Sequence, residues 1–156
     1  VKDFSLRGGA FAVSISGVVG SLVGLTIPHY IGKFRDKRFF LVGASLLTAV
    51  SFFAIAILSG PIILLWLCLA NIGVSICFPM CLMLAGTKTS TPEATRNMST
   101  MMQSIGYALS AMGPGLLGWF YESFGNWNTA LLGMVVLTMV QMVMGWIVGR
   151  PTLIAS

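Results

Sequence analysis

Apolar residues occur along this chain in long runs that short polar segments separate. Runs of this length predict membrane-spanning helices, because about 20 residues of α-helix cross the hydrocarbon core of a bilayer. The pattern predicts five spans, at about 8–31, 39–58, 62–85, 97–120 and 129–149. The expected fold class is an all-α membrane protein whose transmembrane helices form one bundle.

Short connections with strong helix-ending signals divide these spans. The Gly-Pro pair at 60–61 predicts the end of one helix and the start of the next. The T-P-E sequence at 91–93 has the pattern of an N-cap residue, a first-turn proline and a first-turn acid. The Gly-Asn pair at 125–126 is expected to end the fourth span.

The composition and the charge pattern agree with a chain that is embedded in lipid. Hydrophobic residues make up 56% of the sequence and charged residues 8%, far from the usage of ordinary soluble domains. Basic residues lie in the loop after the first span, in the loop after the third span and after the last span, whereas the two other loops have none. The positive-inside rule therefore predicts an outer N-terminal end and a cytoplasmic C-terminus. The residues of the first basic loop are Lys33, Arg35, Lys37 and Arg38.

The net charge of +5 follows from this topology and from contact with anionic headgroups of the lipid bilayer, so nucleic-acid binding is not expected. Residues 113–118, G-P-G-L-L-G, match the string of dinucleotide-binding loops. Such a loop has to follow a β-strand and open a helix, so that backbone N–H groups reach the pyrophosphate. Here the string lies inside a predicted membrane helix, which argues against nucleotide binding.

Small residues in membrane helices instead favour close helix packing, and Pro114 is expected to bend its helix. The residues predicted to serve helix packing are Gly20, Gly24, Gly106, Gly113, Pro114, Gly115 and Gly118.

Residues 91–132 resemble the eleventh helix and its flanking loops in major facilitator superfamily transporters, in particular the cyanate and 2-nitroimidazole transporter group. The T-P-E-A-T loop, the Q-S-x-G-Y start and the G-P pair carry this resemblance. It implies that the five spans are helices eight to twelve of a twelve-helix carrier, and that the N-terminal half of the same chain is a partner. It further implies secondary active transport of a small polar or anionic organic solute or drug-like compound across a bacterial-type inner membrane.

Polar side chains near the middle of the third and fourth spans are the candidate substrate contacts. Asn71 and Ser75 lie one turn apart, as do Gln103 and Tyr107, with Ser110 on the next turn. An amide or phenol without a partner is costly in hydrocarbon, so both groups should face a cavity or each other. The resemblance favours a substrate cavity, because carriers of this architecture bind their solute near the bilayer midplane. The alternative is a hydrogen bond from Asn71 to Gln103 across a helix interface.

Chemistry other than transport finds little support in the sequence. No charged residue lies in the inner two-thirds of a predicted span, so this segment supplies no obvious proton relay. Cys68, Cys77 and Cys81 lack His or acidic companions, so neither a metal site nor a cofactor is expected, and the three thiols should be buried packing residues. A membrane enzyme would have only His29 available. A structural or assembly subunit without a transport cycle is the main alternative to a carrier.

Overall fold

The computed structural model of the chain describes residues 6–34 and 36–150. In these residues the chain forms six α-helices, four of which are long and apolar enough to cross a membrane, namely α1, α2, α3 and α6. The predicted class of an all-α membrane protein is therefore confirmed. The helices are α1 (Leu6–Ile31), α2 (Arg38–Ile57), α3 (Ile62–Lys88), α4 (Pro92–Ala111), α5 (Gly113–Phe124) and α6 (Trp127–Val148).

The segment that the sequence predicts as one fourth span consists of two helices placed end to end. α4 ends at Ala111 and α5 begins at Gly113. Pro114 has no N–H group, so the carbonyl of Ser110 loses its usual helical partner. The N–H of Met112 instead bonds the Leu109 carbonyl at 3.2 Å, in a tighter turn. The helix is thus interrupted next to the proline where a bend was expected.

The turn signals of the sequence are confirmed at three places. The Thr91 hydroxyl accepts a hydrogen bond from the Ala94 N–H at 3.2 Å, which caps the start of α4. Asn126 caps α6 in the same way, because its Oδ1 accepts from the Thr129 N–H at 3.0 Å. Gly60 and Gly125 both have positive φ values, 87° and 67°, that favour glycine at the ends of α2 and α5.

α3 is the central helix of the bundle, since α1 packs against one side of it and α2 against another. The crossing of α2 and α3 is closest at Gly73. A Cβ atom added there would lie 2.6 Å from the Ala44 carbonyl oxygen and would also overlap the Thr48 hydroxyl. Only a residue without a side chain fits, so the α2–α3 distance depends on Gly73.

α6 packs against the far side of α2 through a similar contact. A Cβ on Gly145 would lie 3.2 Å from the Leu41 Cβ, and one on Gly149 would lie 2.9 Å from the Arg38 Cα. These two glycines have the spacing of a G-x-x-x-G motif, which brings helix backbones together in membranes. Their role in packing was not predicted from the sequence.

Of the residues predicted to serve helix packing, Gly20 and Gly24 lie at the crossing of α1 and α3. A Cβ on Gly20 would lie 2.7 Å from the Ser75 hydroxyl, and one on Gly24 would lie 3.2 Å from the Ser75 carbonyl oxygen. An added Cβ meets no described atom within 4 Å at the other four predicted glycines, Gly106, Gly113, Gly115 and Gly118. Pro114 is exposed. The packing role of these five residues therefore stays a prediction.

The basic loop between α1 and α2 is described except for Arg35, which lies outside the described residues. The Lys37 ammonium is buried and donates to the Phe34 carbonyl at 3.2 Å, whereas Lys33 is exposed. The position of this loop on the cytoplasmic side of the membrane stays a prediction.

The N-terminal end of α2 and the C-terminal ends of α3 and α6 meet near this loop. Lys88, the last residue of α3, is buried and donates to the Arg150 carbonyl at 2.6 Å. The guanidinium of Arg38 lies 5.3 Å from the centre of the Trp146 ring, a cation–π distance. Both contacts place a cation near the C-terminal end of α6, where the helix dipole favours positive charge.

We expect Gly73→Leu to destabilise the bundle, whereas Gly133→Leu should leave its stability close to that of the wild type. The leucine at position 73 would overlap backbone atoms of α2, and overpacking of this kind typically costs about 1–3 kcal/mol. A Cβ at Gly133 meets no described atom within 4 Å, which makes this variant a matched control. The unfolding midpoint of the detergent-solubilised protein measures the effect, and equal midpoints for both variants would contradict the close crossing.

Candidate functional site

A cavity of about 210 Å³ lies between α3 and α4 and contains three of the five predicted substrate contacts. Gln103, Tyr107 and Ser110 line it from α4, where their spacing places them on successive turns of one face. The facing wall belongs to α3, which contributes Phe78 and Cys81 among others.

The α4 side of the cavity has hydrogen-bonding capacity that the described chain does not use. The side chains of Gln103 and Tyr107 form no hydrogen bond with any described residue, and Tyr107 is 59% exposed. An amide and a phenol that faced lipid would be costly, because hydrocarbon offers them no partner. Both groups are therefore suited to a cavity that holds water or a solute.

Asn71 and Ser75 lie on the α1 side of α3 rather than in this cavity. The Asn71 side-chain amide donates to the buried Ser16 hydroxyl at 3.2 Å and to the Leu67 carbonyl at 3.1 Å. The partner of Asn71 is thus on α1, and the alternative hydrogen bond to Gln103 is not formed. Ser75 lines a second, more open groove of about 470 Å³ beside Gly20 and Gly24.

Phe78 lines both cavities and separates them. These two adjoining cavities form a trough, whose floor is α3 and whose sides are α1 and α4. Four of the five candidate residues line the trough, whereas Asn71 lines neither cavity. Ser75 lines the cavity on the α1 side of Phe78. The three polar residues of α4 line the cavity on the other side of that ring.

No Asp, Glu, Lys or Arg lines the trough within the described chain. Recognition there would depend on neutral donors and acceptors and on the Phe78 ring. His, Cys, Asp and Glu do not form a group that could hold a metal ion in the part of the chain that the structure describes.

Two residues of the cavity were missed or misjudged from the sequence. The prediction that all three cysteines are buried is wrong for Cys81, which is exposed and lines the cavity. Cys77 is buried between α2 and α3, with its sulphur 3.8 Å from the Ser45 hydroxyl. The helical period offered a signal for Phe78, because two turns along α3 from Asn71 reach that position.

Two bacterial transporters are similar to the chain in sequence. The 2-nitroimidazole transporter of Escherichia coli (strain K12) is 29% identical over 127 residues, which are 81% of this chain and 32% of the transporter. The cyanate transport protein CynX of the same organism is 23% identical over 128 residues, 78% of this chain and 33% of that protein. The chain thus spans about a third of the length of these relatives. No family model matches the chain, and no solved structure matches it.

With four helices long and apolar enough to cross a membrane and with these bacterial relatives, the chain is a multi-pass inner-membrane protein that is similar to transporters. The resemblance of residues 91–132 to transporters of the major facilitator type agrees with these similarities.

We expect Asn71 and Ser16 to be coupled in a double-mutant cycle of alanine substitutions, because their hydrogen bond joins α1 to α3. Interhelical hydrogen bonds of membrane proteins contribute about 0.6 kcal/mol on average and up to about 1.7 kcal/mol. The free energy of unfolding in mixed detergent micelles measures this coupling.

Gln103→Ala combined with Ser16→Ala is the control cycle, since Gln103 has no hydrogen-bond partner among the described residues. A coupling energy near zero for Asn71 and Ser16, or an equal value in the control, would contradict the assigned bond.

Proposed function

We propose that the full protein is a secondary active transporter that works by alternating access. Its substrate is a small polar or anionic organic solute or a drug-like compound, which binds in the trough. Because the chain spans about a third of its relatives, the activity belongs to the longer protein. The N-terminal half of that protein is the proposed partner that covers the trough.

The row formed by Gln103, Tyr107 and Ser110 is the observation that carries this proposal. These side chains supply an amide, a phenol and a hydroxyl, each of which can both donate and accept hydrogen bonds. They line a cavity without charged groups and remain unpaired within the described chain. A purely structural subunit would gain nothing from unsatisfied polar groups on this face, since each one is costly wherever it meets lipid.

The lining of the cavity favours a compact solute with several acceptor atoms. Ligand sites generally combine apolar walls with a few polar groups that fix orientation, and Phe78 and Met102 supply such walls here. The names of the two relatives, which refer to 2-nitroimidazole and cyanate, support solutes of this size.

The helix interruption next to Ser110 supports the alternating-access part of the proposal. Many transporters form their binding sites where membrane helices are discontinuous, and they rock one bundle against another around the site. The close crossings at Gly73 and Gly145 join α2, α3 and α6 into a unit that is suited to move as one body. α4 makes few contacts with this unit and has no buried residue.

We expect Tyr107→Phe to lower solute affinity about two- to tenfold in the full-length protein, because one hydrogen bond contributes about 0.5–1.5 kcal/mol. Uptake or efflux of 2-nitroimidazole and of cyanate in proteoliposomes measures this change at equal protein abundance. Tyr121→Phe is the matched control, because Tyr121 stacks on Trp127 at 4.6 Å and lies outside the trough. Unchanged transport in the Tyr107 variant would contradict the site.

We also expect bound solute to protect Cys81 from N-ethylmaleimide. A protein that retains Cys81 as its single cysteine should react readily, since this thiol is exposed at the cavity. A matched protein that retains only the buried Cys77 should react slowly whether or not solute is present. If Cys81 reacts at the same rate with and without a transported solute, the solute binds elsewhere.

A further inference from the structure

A third cavity, separate from the trough, lies between the ends of α1 and α2 that the basic loop connects. It is a groove of about 480 Å³ whose floor includes Ile76 of α3. Tyr30 lines it from α1, and Phe39, Gly43 and Leu47 line it from α2. It shares no lining residue with the trough, and apart from the Tyr30 hydroxyl its side chains are apolar.

The groove has the length of one leaflet of a bilayer. From Phe39 to Leu47 the helix rises about 12 Å at about 1.5 Å per residue. Half of the hydrocarbon core measures about 15 Å. Gly43 faces open space in the middle of the groove, because an added Cβ there meets no described atom within 4 Å. An extended hydrocarbon chain fits these dimensions better than a compact polar solute does.

The mouth of the groove is positively charged. Lys33 is exposed, and its ammonium lies 6.0 Å from the centre of the Tyr30 ring at the edge of the groove. The Phe34 ring packs 5.2 Å from that of Phe40, which holds the described part of the loop against the start of α2.

The first turn of α2 determines where the acid of the loop is held. It contains no acid, and its N-cap residue, Lys37, makes no capping hydrogen bond with its side chain. The N–H groups at a helix start favour anions. Asp36 is the acid of the described loop, and its Oδ1 accepts from the Arg38 N–H at 3.0 Å and lies 3.8 Å from the Arg38 Nε. Asp36 is thus paired with the start of α2, which leaves the exposed Lys33 as the cation of the mouth. The charge at the mouth is therefore available to an anionic headgroup.

We propose that the groove binds one anionic phospholipid, with an acyl chain between α1 and α2 and the phosphate at Lys33. An apolar groove of leaflet length with a basic mouth is complementary to a molecule that joins hydrocarbon to negative charge. A zwitterionic phospholipid matches the groove but carries no net charge for the mouth.

Native mass spectrometry of the full-length transporter tests this site. The detergent-solubilised protein is mixed with equal amounts of phosphatidylglycerol and phosphatidylcholine that carry identical acyl chains. We expect phosphatidylglycerol to be retained several-fold more than phosphatidylcholine. Lys33→Gln should remove most of this preference. Gly43→Leu should lower retention of the lipid, because its side chain would occupy the groove at a position where an added Cβ meets no described atom within 4 Å.

Two control variants separate the site from general effects. Arg96→Gln removes an exposed positive charge on α4, and Gly133→Leu adds a side chain at a glycine of α6 that also faces open space. Both should retain phosphatidylglycerol as the wild type does. The unfolding midpoint of Gly43→Leu, without added lipid, checks that the variant is folded.

Three results would overturn the proposal. Equal retention of the two lipids would show contact without headgroup recognition. Wild-type retention by a folded Gly43→Leu variant would place the lipid outside the groove. Displacement of phosphatidylglycerol by millimolar inorganic phosphate would show that an anion site alone, without the acyl chain, accounts for binding.

Discussion

The close approach of helix backbones to α3 is the contact on which the rest of the structure depends. Lipid chains are as apolar as leucine, so membrane helices gain little from burying apolar surface against each other. Association requires close packing and interhelical hydrogen bonds instead. α3 provides both, through Gly73 against α2 and through Asn71 and Ser75 against the glycines of α1.

This arrangement leaves one face of α3 open between α1 and α4. Phe78 lies in the middle of that face, with cavities on both sides. The polar row of α4 can face this space because the helix makes few contacts with the rest of the described chain. The proposed transport site and the packing of the bundle thus have a common origin in the two close crossings of α3.

Local signals in the sequence predict the helices well, and they predict part of the packing. Apolar runs and cap residues such as Thr91 act over a few positions, so they can be identified without knowledge of the fold. Gly20 and Gly24 could be selected by their spacing. Gly73 could not, because its importance depends on where the Ala44 carbonyl of another helix lies.

The candidate site shows the same division. The row of Gln103, Tyr107 and Ser110 on α4 follows from helical spacing within one element. The exposure of Cys81 depends instead on how the other helices pack around α3, which helical spacing does not indicate.

Oxidative cross-linking of Gly24→Cys with Ser75→Cys tests this account most directly, in full-length protein whose native cysteines are all replaced by alanine. A Cβ on Gly24 would lie 3.4 Å from the Ser75 Cβ, close to the separation of about 3.5–4.5 Å in disulfides. The account predicts rapid, nearly complete cross-linking in membranes, and little for Gly106→Cys with Ser75→Cys, because Gly106 has no described atom within 4 Å of an added Cβ. Absence of the first cross-link, or equal formation of both, would contradict the central position of α3.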